Sequence, residues 1–66
     1  MKATINGRTH DLPGELTVAA LLELLGSPAS GVAVARNERV VRRSEYPCDV
    51  VREGDRVEII QAVAGG

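Results

Sequence analysis

Apolar and polar residues alternate from Lys2 to Asn6, with Ala3 and Ile5 on one face, which is the period-two pattern of a half-buried strand. Asn6-Gly7 is a residue pair that accepts the positive φ angles of a two-residue hairpin turn. Arg8 to Leu12 is therefore predicted to be the returning strand. Its Arg8, Thr9, His10 and Asp11 suit an edge or a solvent-facing stretch, and Pro13-Gly14 ends it.

From Thr17 the period lengthens. Val18, Leu21, Leu22 and Leu25 fall at i, i+3, i+4 and i+7, one face of an α-helix, and Thr17 is placed as its N-cap. Leu16 and Leu21 stand at the spacing of a hydrophobic staple, although Ala20 occupies the position where a full capping box has Glu. Gly26 suits the left-handed position after the helix, and Pro28 prevents its continuation. Eight or nine residues are too few to be helical alone, so this helix requires an apolar sheet to lie on.

Val32 to Arg36 is predicted to be the third strand. Its valines alternate with Ala33 and Ala35, and apolar residues on both sides imply a central, largely covered position. Asn37-Glu38 turns into the brief strand Arg39-Val40-Val41. Arg42 to Asp49 reads as irregular, with Pro47 against a central strand, and Val50-Val51 pins this loop onto the core. Glu53-Gly54-Asp55 is a turn. Arg56 to Val63 is the last strand, with Val57 and Ile59 on one face of the pleat and Ile60 on the other. Residues 1–62 form one domain, and 63–66, Val63-Ala64-Gly65-Gly66, form a flexible tail. Strands on both sides of a single crossover helix imply an α+β domain with a mixed sheet and the helix on one face. The first and last strands are expected to pair in parallel at its centre.

Composition limits what this domain can carry. Sixty-six residues are near the size at which folding buries only about 60% of the chain's surface, which leaves little room for a catalytic cleft. Tyr46 is the one aromatic residue, so the core is built from Val, Leu, Ile and Ala. Eight Lys plus Arg against nine Asp plus Glu argue against a general nucleic-acid binder. A single cysteine, Cys48, excludes an internal disulfide framework, and no Cys/His cluster has the spacing of a metal site. The chain has no apolar run long enough for a signal sequence or a membrane span, so a soluble cytoplasmic protein is expected.

Across essentially its whole length the chain resembles the ThiS family, the sulfur carriers of thiamine biosynthesis. This family has the ubiquitin-like β-grasp fold, also seen in the molybdopterin carrier MoaD. The residues that carry the resemblance are Asn6-Gly7, Thr17-Val18 before a leucine-rich helix, Val34-Ala35-Arg36-Asn37, Glu53-Gly54-Asp55 and Ala64-Gly65-Gly66. The resemblance implies a mixed sheet of four to five strands in the order ββαββ(β), with one helix packed across one face. It also implies a function. A ThiF-type partner uses ATP and Mg to adenylate the Gly66 carboxylate. Sulfur derived from a desulfurase converts it to a thiocarboxylate, and a ThiG-type synthase takes that sulfur for the thiazole ring. The chain itself is then a protein co-substrate with no catalytic residue, bound cofactor or metal.

The chemistry of the tail agrees with that implication. A terminal carboxyl, with an ordinary pKa of about 3.3 to 3.7, is ionised at neutral pH and can attack a phosphoryl group without a base. Its oxygen leaves only after activation, and the partner supplies the electrostatic stabilisation for that step. Gly65 and Gly66 lack a Cβ, so the backbone can thread a narrow channel with Ala64 before them. Four extended residues from Val63 span at most about 14 Å. Ile60, Ala62 and Val63, together with Val41, are expected to form an apolar docking patch on the sheet face away from the helix.

Other residues have simpler readings. Cys48 has no nearby His or helix N-terminus in sequence and reads as a small, partly buried filler. His10 reads as a surface residue. Arg36, Arg39, Arg42 and Arg43, with no interleaved aromatics, read as a solvated face, with partner docking second. Glu53 and Asp55 flank a turn glycine and are explained by turn chemistry. Two other classes also fit a Gly-Gly end: a protein modifier conjugated through Gly66, and a β-grasp interaction module that associates with RNA. A carrier for molybdopterin or cysteine synthesis uses the same tail, whereas the short length and the compact Asn37 turn favour thiazole formation.

Overall fold

A computed structural model describes residues 1–28 and 30–61. The elements are β1 (Lys2–Ile5), β2 (Arg8–Asp11), β3 (Leu16–Thr17), α1 (Val18–Leu24), β4 (Val32–Arg36), β5 (Arg39–Val41), a 3₁₀ turn (Arg43–Glu45), β6 (Val50–Val51) and β7 (Arg56–Gln61). Five strands form one sheet in the order β2-β1-β7-β4-β5, and β3 pairs with β6 in a separate two-stranded ribbon. The parallel pair is β1 with β7, as expected from the crossover, and every other pairing is antiparallel.

Turn chemistry sets the hairpins. Asn6 and Gly7 take φ angles of 51° and 81°, the left-handed pair of a type I′ turn, which matches the twist of the strands it joins. Asn37 and Glu38 adopt the same hand, at 53° and 69°, where a non-glycine residue is accepted at some steric cost.

α1 is capped at both ends. The Thr17 hydroxyl accepts the Ala20 N–H at 3.1 Å, and the carbonyls of Asp49 and Tyr46 accept the Val18 and Ala19 N–H groups. Three of the donors that a helix start leaves unpaired are thus satisfied. At the other end Gly26 has φ 72°. The Gly26 N–H donates to the Glu23 carbonyl and the Ser27 N–H to that of Leu22, the paired bonds of a Schellman motif. Among the described residues no helix is long and apolar enough to cross a membrane.

The core lies between α1 and one face of the sheet. Val18, Leu21 and Leu22 from the helix meet Ala3, Ile5, Val34, Val41 and Val57 from the strands, with Leu12, Tyr46 and Val51 closing the edges. Two expectations are corrected here. β4 is central but covered on one face only: Val34 is buried, whereas Ala33 on the opposite face is exposed. The segment from Arg42 to Asp49 also contributes more than a loop, because it makes a 3₁₀ turn and inserts Tyr46, which is 5% exposed, into the core. Val50 and Val51 do pin it, as the strand that pairs with Leu16–Thr17.

Tyr46 fills space more than it bonds. Its hydroxyl reaches the Val32 carbonyl only at 3.4 Å, a long contact for an O–H donor. Tyr46→Phe is expected to change unfolding stability by less than about 1 kcal/mol, whereas Tyr46→Ala lowers it by about 3 kcal/mol or more. Urea denaturation of the two variants checks the difference.

Candidate functional site

The site is built around β7. Its residues alternate, so Val57 and Ile59 face the helix while Glu58 and Ile60 face outward. The register with β4 sets Ile60 opposite Ala33 and Glu58 opposite Ala35, and the register of β4 with β5 sets Val40 opposite Ala35. The outer face therefore carries an apolar strip made of Ile60, 63% exposed, Val40, 74% exposed, and the two small alanines between them.

Val41 does not belong to this strip. It pairs with Val34 on the helix side and is 7% exposed, so the valine available to a partner is Val40. Two successive valines in a three-residue strand give no parity signal, and a one-residue shift of register exchanges the faces. Ile60 is exposed on the expected face. Ala62, Val63, Ala64, Gly65 and Gly66 lie outside the described residues.

At the end of β7 an open groove of about 410 Å³ is lined by Asn6, Arg8, His10, Leu25, Ile59 and Gln61, among others. His10 and Arg8 both line it, and among the described residues no carboxylate does. Among the described residues no group of three or more His, Cys, Asp or Glu side chains is arranged to hold a metal ion. Cys48 is exposed rather than partly buried, because the segment that holds it turns outward after Tyr46 enters the core.

A polar cluster at the far end of the sheet was not legible from the spacing. The Arg36 guanidinium donates to both oxygens of Asp49, at 2.9 and 2.8 Å, and to Asp55 at 3.2 Å. Arg36 is therefore bound within the molecule and is no part of a solvated basic face, whereas Arg39, Arg42 and Arg43 are exposed. Asp55 also accepts the Arg52 N–H at 2.9 Å and the Asn37 amide at 3.1 Å. The turn reading of Asp55 thus covers part of its role. Glu53 accepts the Lys2 N–H at 2.9 Å.

Hydrogen bonds from Arg36 hold the Asp49 carboxyl below the usual carboxylate range against the opposing effect of desolvation. At Asp55, by contrast, desolvation is the largest influence and pushes it upward, but the Arg52 N–H, the Asn37 amide and Arg36 together outweigh it, so the net shift is downward. A carboxyl depressed in the folded state contributes stability that is complete above its unfolded pKa, about 3.9 for Asp, and is lost as pH falls through the folded value. The melting temperature is expected to fall as pH is lowered from about 4. Arg36→Leu should lower stability at pH 7 by about 1 to 3 kcal/mol, with the gap to the parent narrowing as pH falls. Thermal melts across about pH 2 to 7 check both trends.

One helix crossing a mixed sheet whose first and last strands run parallel at its centre defines a ubiquitin-like β-grasp domain. The ThiS family model matches residues 3–66, and the chain belongs to that family of sulfur carriers. It is 32% identical to the sulfur carrier protein ThiS of Escherichia coli over the whole of both chains. With the sulfur carrier protein ThiS of Thermus thermophilus it shares 37% identity over 94% of this chain and 95% of the relative. The crystal structure of the thiamine biosynthesis protein ThiS of Geobacter metallireducens superimposes with a TM-score of 0.87, at 33% identity and with both chains fully covered. A thiazole synthase of Paramagnetospirillum magneticum is 41% identical over all of this chain, which spans about a fifth of that relative's length.

Proposed function

We propose that this chain carries sulfur for the thiazole ring of thiamine on the carboxylate of Gly66. The observation that carries the reading is the match of the family model from residue 3 through residue 66. The alignment with the Escherichia coli carrier supports it, since it runs the length of both chains. In this reading a ThiF-type adenylating partner binds the domain and takes Ala64, Gly65 and Gly66 into its site. The Gly66 carboxylate attacks the α-phosphorus of ATP and pyrophosphate leaves, giving an acyl adenylate. Sulfide-level sulfur, released when a thiol reduces a desulfurase-charged persulfide and itself ends as a disulfide, then displaces AMP and leaves the thiocarboxylate, from which a ThiG-type synthase takes its sulfur. The likeness to thiazole synthases over a fifth of their length supports that last partner. ATP and magnesium are bound by the adenylating partner, and the chain acts as a substrate rather than as an enzyme.

Intact mass spectrometry of the native protein is expected to show one oxygen replaced by sulfur at Gly66. Covalent conjugates of higher mass would instead support a protein modifier, and an unmodified chain an interaction module. Deleting Gly66 should abolish partner-catalysed ATP–pyrophosphate exchange and leave the thermal melt unchanged; exchange that persists in the deletion refutes the mechanism.

The apolar strip of Ile60 and Val40 is the surface we assign to partner docking. An exposed isoleucine with small neighbours lets a partner bury apolar area without displacing the core. Ile60→Asp is expected to lower kcat/KM for adenylation about ten-fold or more without loss of folding. Full activity in steady-state assays of that variant would exclude this face as the interface.

A further inference from the structure

The parallel ladder between β1 and β7 ends where β1 enters its hairpin. Asn6 still donates its backbone N–H to the Val57 carbonyl at 2.9 Å, but at φ 51° its own chain turns away. In a ladder that continued, the next rung would join the backbones of Asn6 and Ile59. The Asn6 side chain takes that place. Its Oδ1 accepts the Ile59 N–H at 2.8 Å, and its Nδ2 donates to the Ile59 carbonyl at 3.2 Å. On its other side β7 remains paired with β4 as far as Val32 and Gln61. Asn6 thus closes the open side of the last strand two residues before Gln61.

We propose that Asn6 is a positioning residue for the carrier reaction, its amide fixing the direction in which β7 delivers the residues beyond Gln61. This role rests on the carrier reading above. Asparagine meets both local demands: it accepts the left-handed backbone of the turn, and its amide offers a donor and an acceptor together. Aspartate would keep the acceptor for the Ile59 N–H but set a carboxylate oxygen against the Ile59 carbonyl. Glycine would keep the turn and lose both bonds. Without the side-chain rung β7 frays from its β1 side, and a partner must order the strand end while binding it.

Asn6→Gly and Asn6→Asp test this in two measurements. In the chain alone, Asn6→Gly is expected to speed amide hydrogen exchange at Ile59 about ten-fold while Val34 and Val57 keep their protection. With the adenylating partner, the KM for the carrier should rise about ten-fold and kcat stay within about two-fold, with Asn6→Asp between Asn6→Gly and the parent. A purely structural role would speed exchange at every core amide alike and would not single out KM. Unchanged Ile59 exchange, or an unchanged KM in Asn6→Gly, overturns the proposal. A parent chain that supports no adenylation overturns the carrier reading and Asn6's part in it, whereas the Ile59 exchange rate still decides whether Asn6 holds the strand.

Discussion

Parallel neighbours in a sheet cannot be joined by a tight turn, and here the parallel pair is formed by β1 and β7, the first and last strands described. After the β1–β2 hairpin the chain has to leave the sheet, cross a face and return on the far side. The helix makes the crossing, and β4 returns to flank β7 from the other side. β7 therefore completes the sheet from the middle, with register partners on both sides and a side-chain bond from Asn6 to Ile59 across 53 residues. Such long-range pairing costs loop-closure entropy before it gains contacts. In return, the strand that leads to residues 62–66 is held on both sides rather than at an edge.

A domain of this size has a stability of about 3 to 10 kcal/mol in total, so its supports are interdependent. The seven-residue helix cannot persist alone. Its first N–H groups are bonded by carbonyls of Asp49 and Tyr46, both in the segment with the least regular structure. That segment is in turn tied to β4 by Arg36 through Asp49 and anchored in the core by Tyr46. The ion pairs are partly exposed, which limits their Coulombic worth. Their geometry still matters, because one guanidinium joins the end of β4 to the start of the helix and to the turn before β7.

What could be read from the sequence was whatever is encoded by neighbours. The helix face, the Thr17 cap, the Gly26 stop and the Asn6-Gly7 turn each depend on residues within about one turn of each other, and the structure bears them out. The resemblance to a family added the topology, which periodicity alone left open. The features that escaped depend on contacts between distant residues. Arg36 looked like one of four surface arginines because Asp49 and Asp55 lie 13 and 19 residues away. Val41 lies on the opposite face from the one its sequence suggests, because a valine pair carries no alternation and the β4–β5 register decides between Val40 and Val41. The packing role expected of Cys48 belongs to the neighbouring Tyr46. The Asn6 turn was legible, but the side chain's second role was not, since nothing near it names Ile59.

The division of labour in a carrier sets opposite demands on adjoining residues. A segment that enters a partner's narrow site must be thin and adaptable, and glycine meets that demand at the expense of conformational entropy. Ordering each backbone residue costs about 1 to 2 kcal/mol, so each further residue that must be ordered on docking weakens the complex several-fold. The five residues after Gln61 span at most about 17 Å. If β7 came loose after Val57, the four residues up to Gln61 would be added to the number a partner has to order. β4 on one side and Asn6 on the other keep Ile59 to Gln61 within the sheet. The exposed Ile60 sits in the same short stretch, so on this reading one rigid segment both presents the docking surface and sets where the reactive end begins.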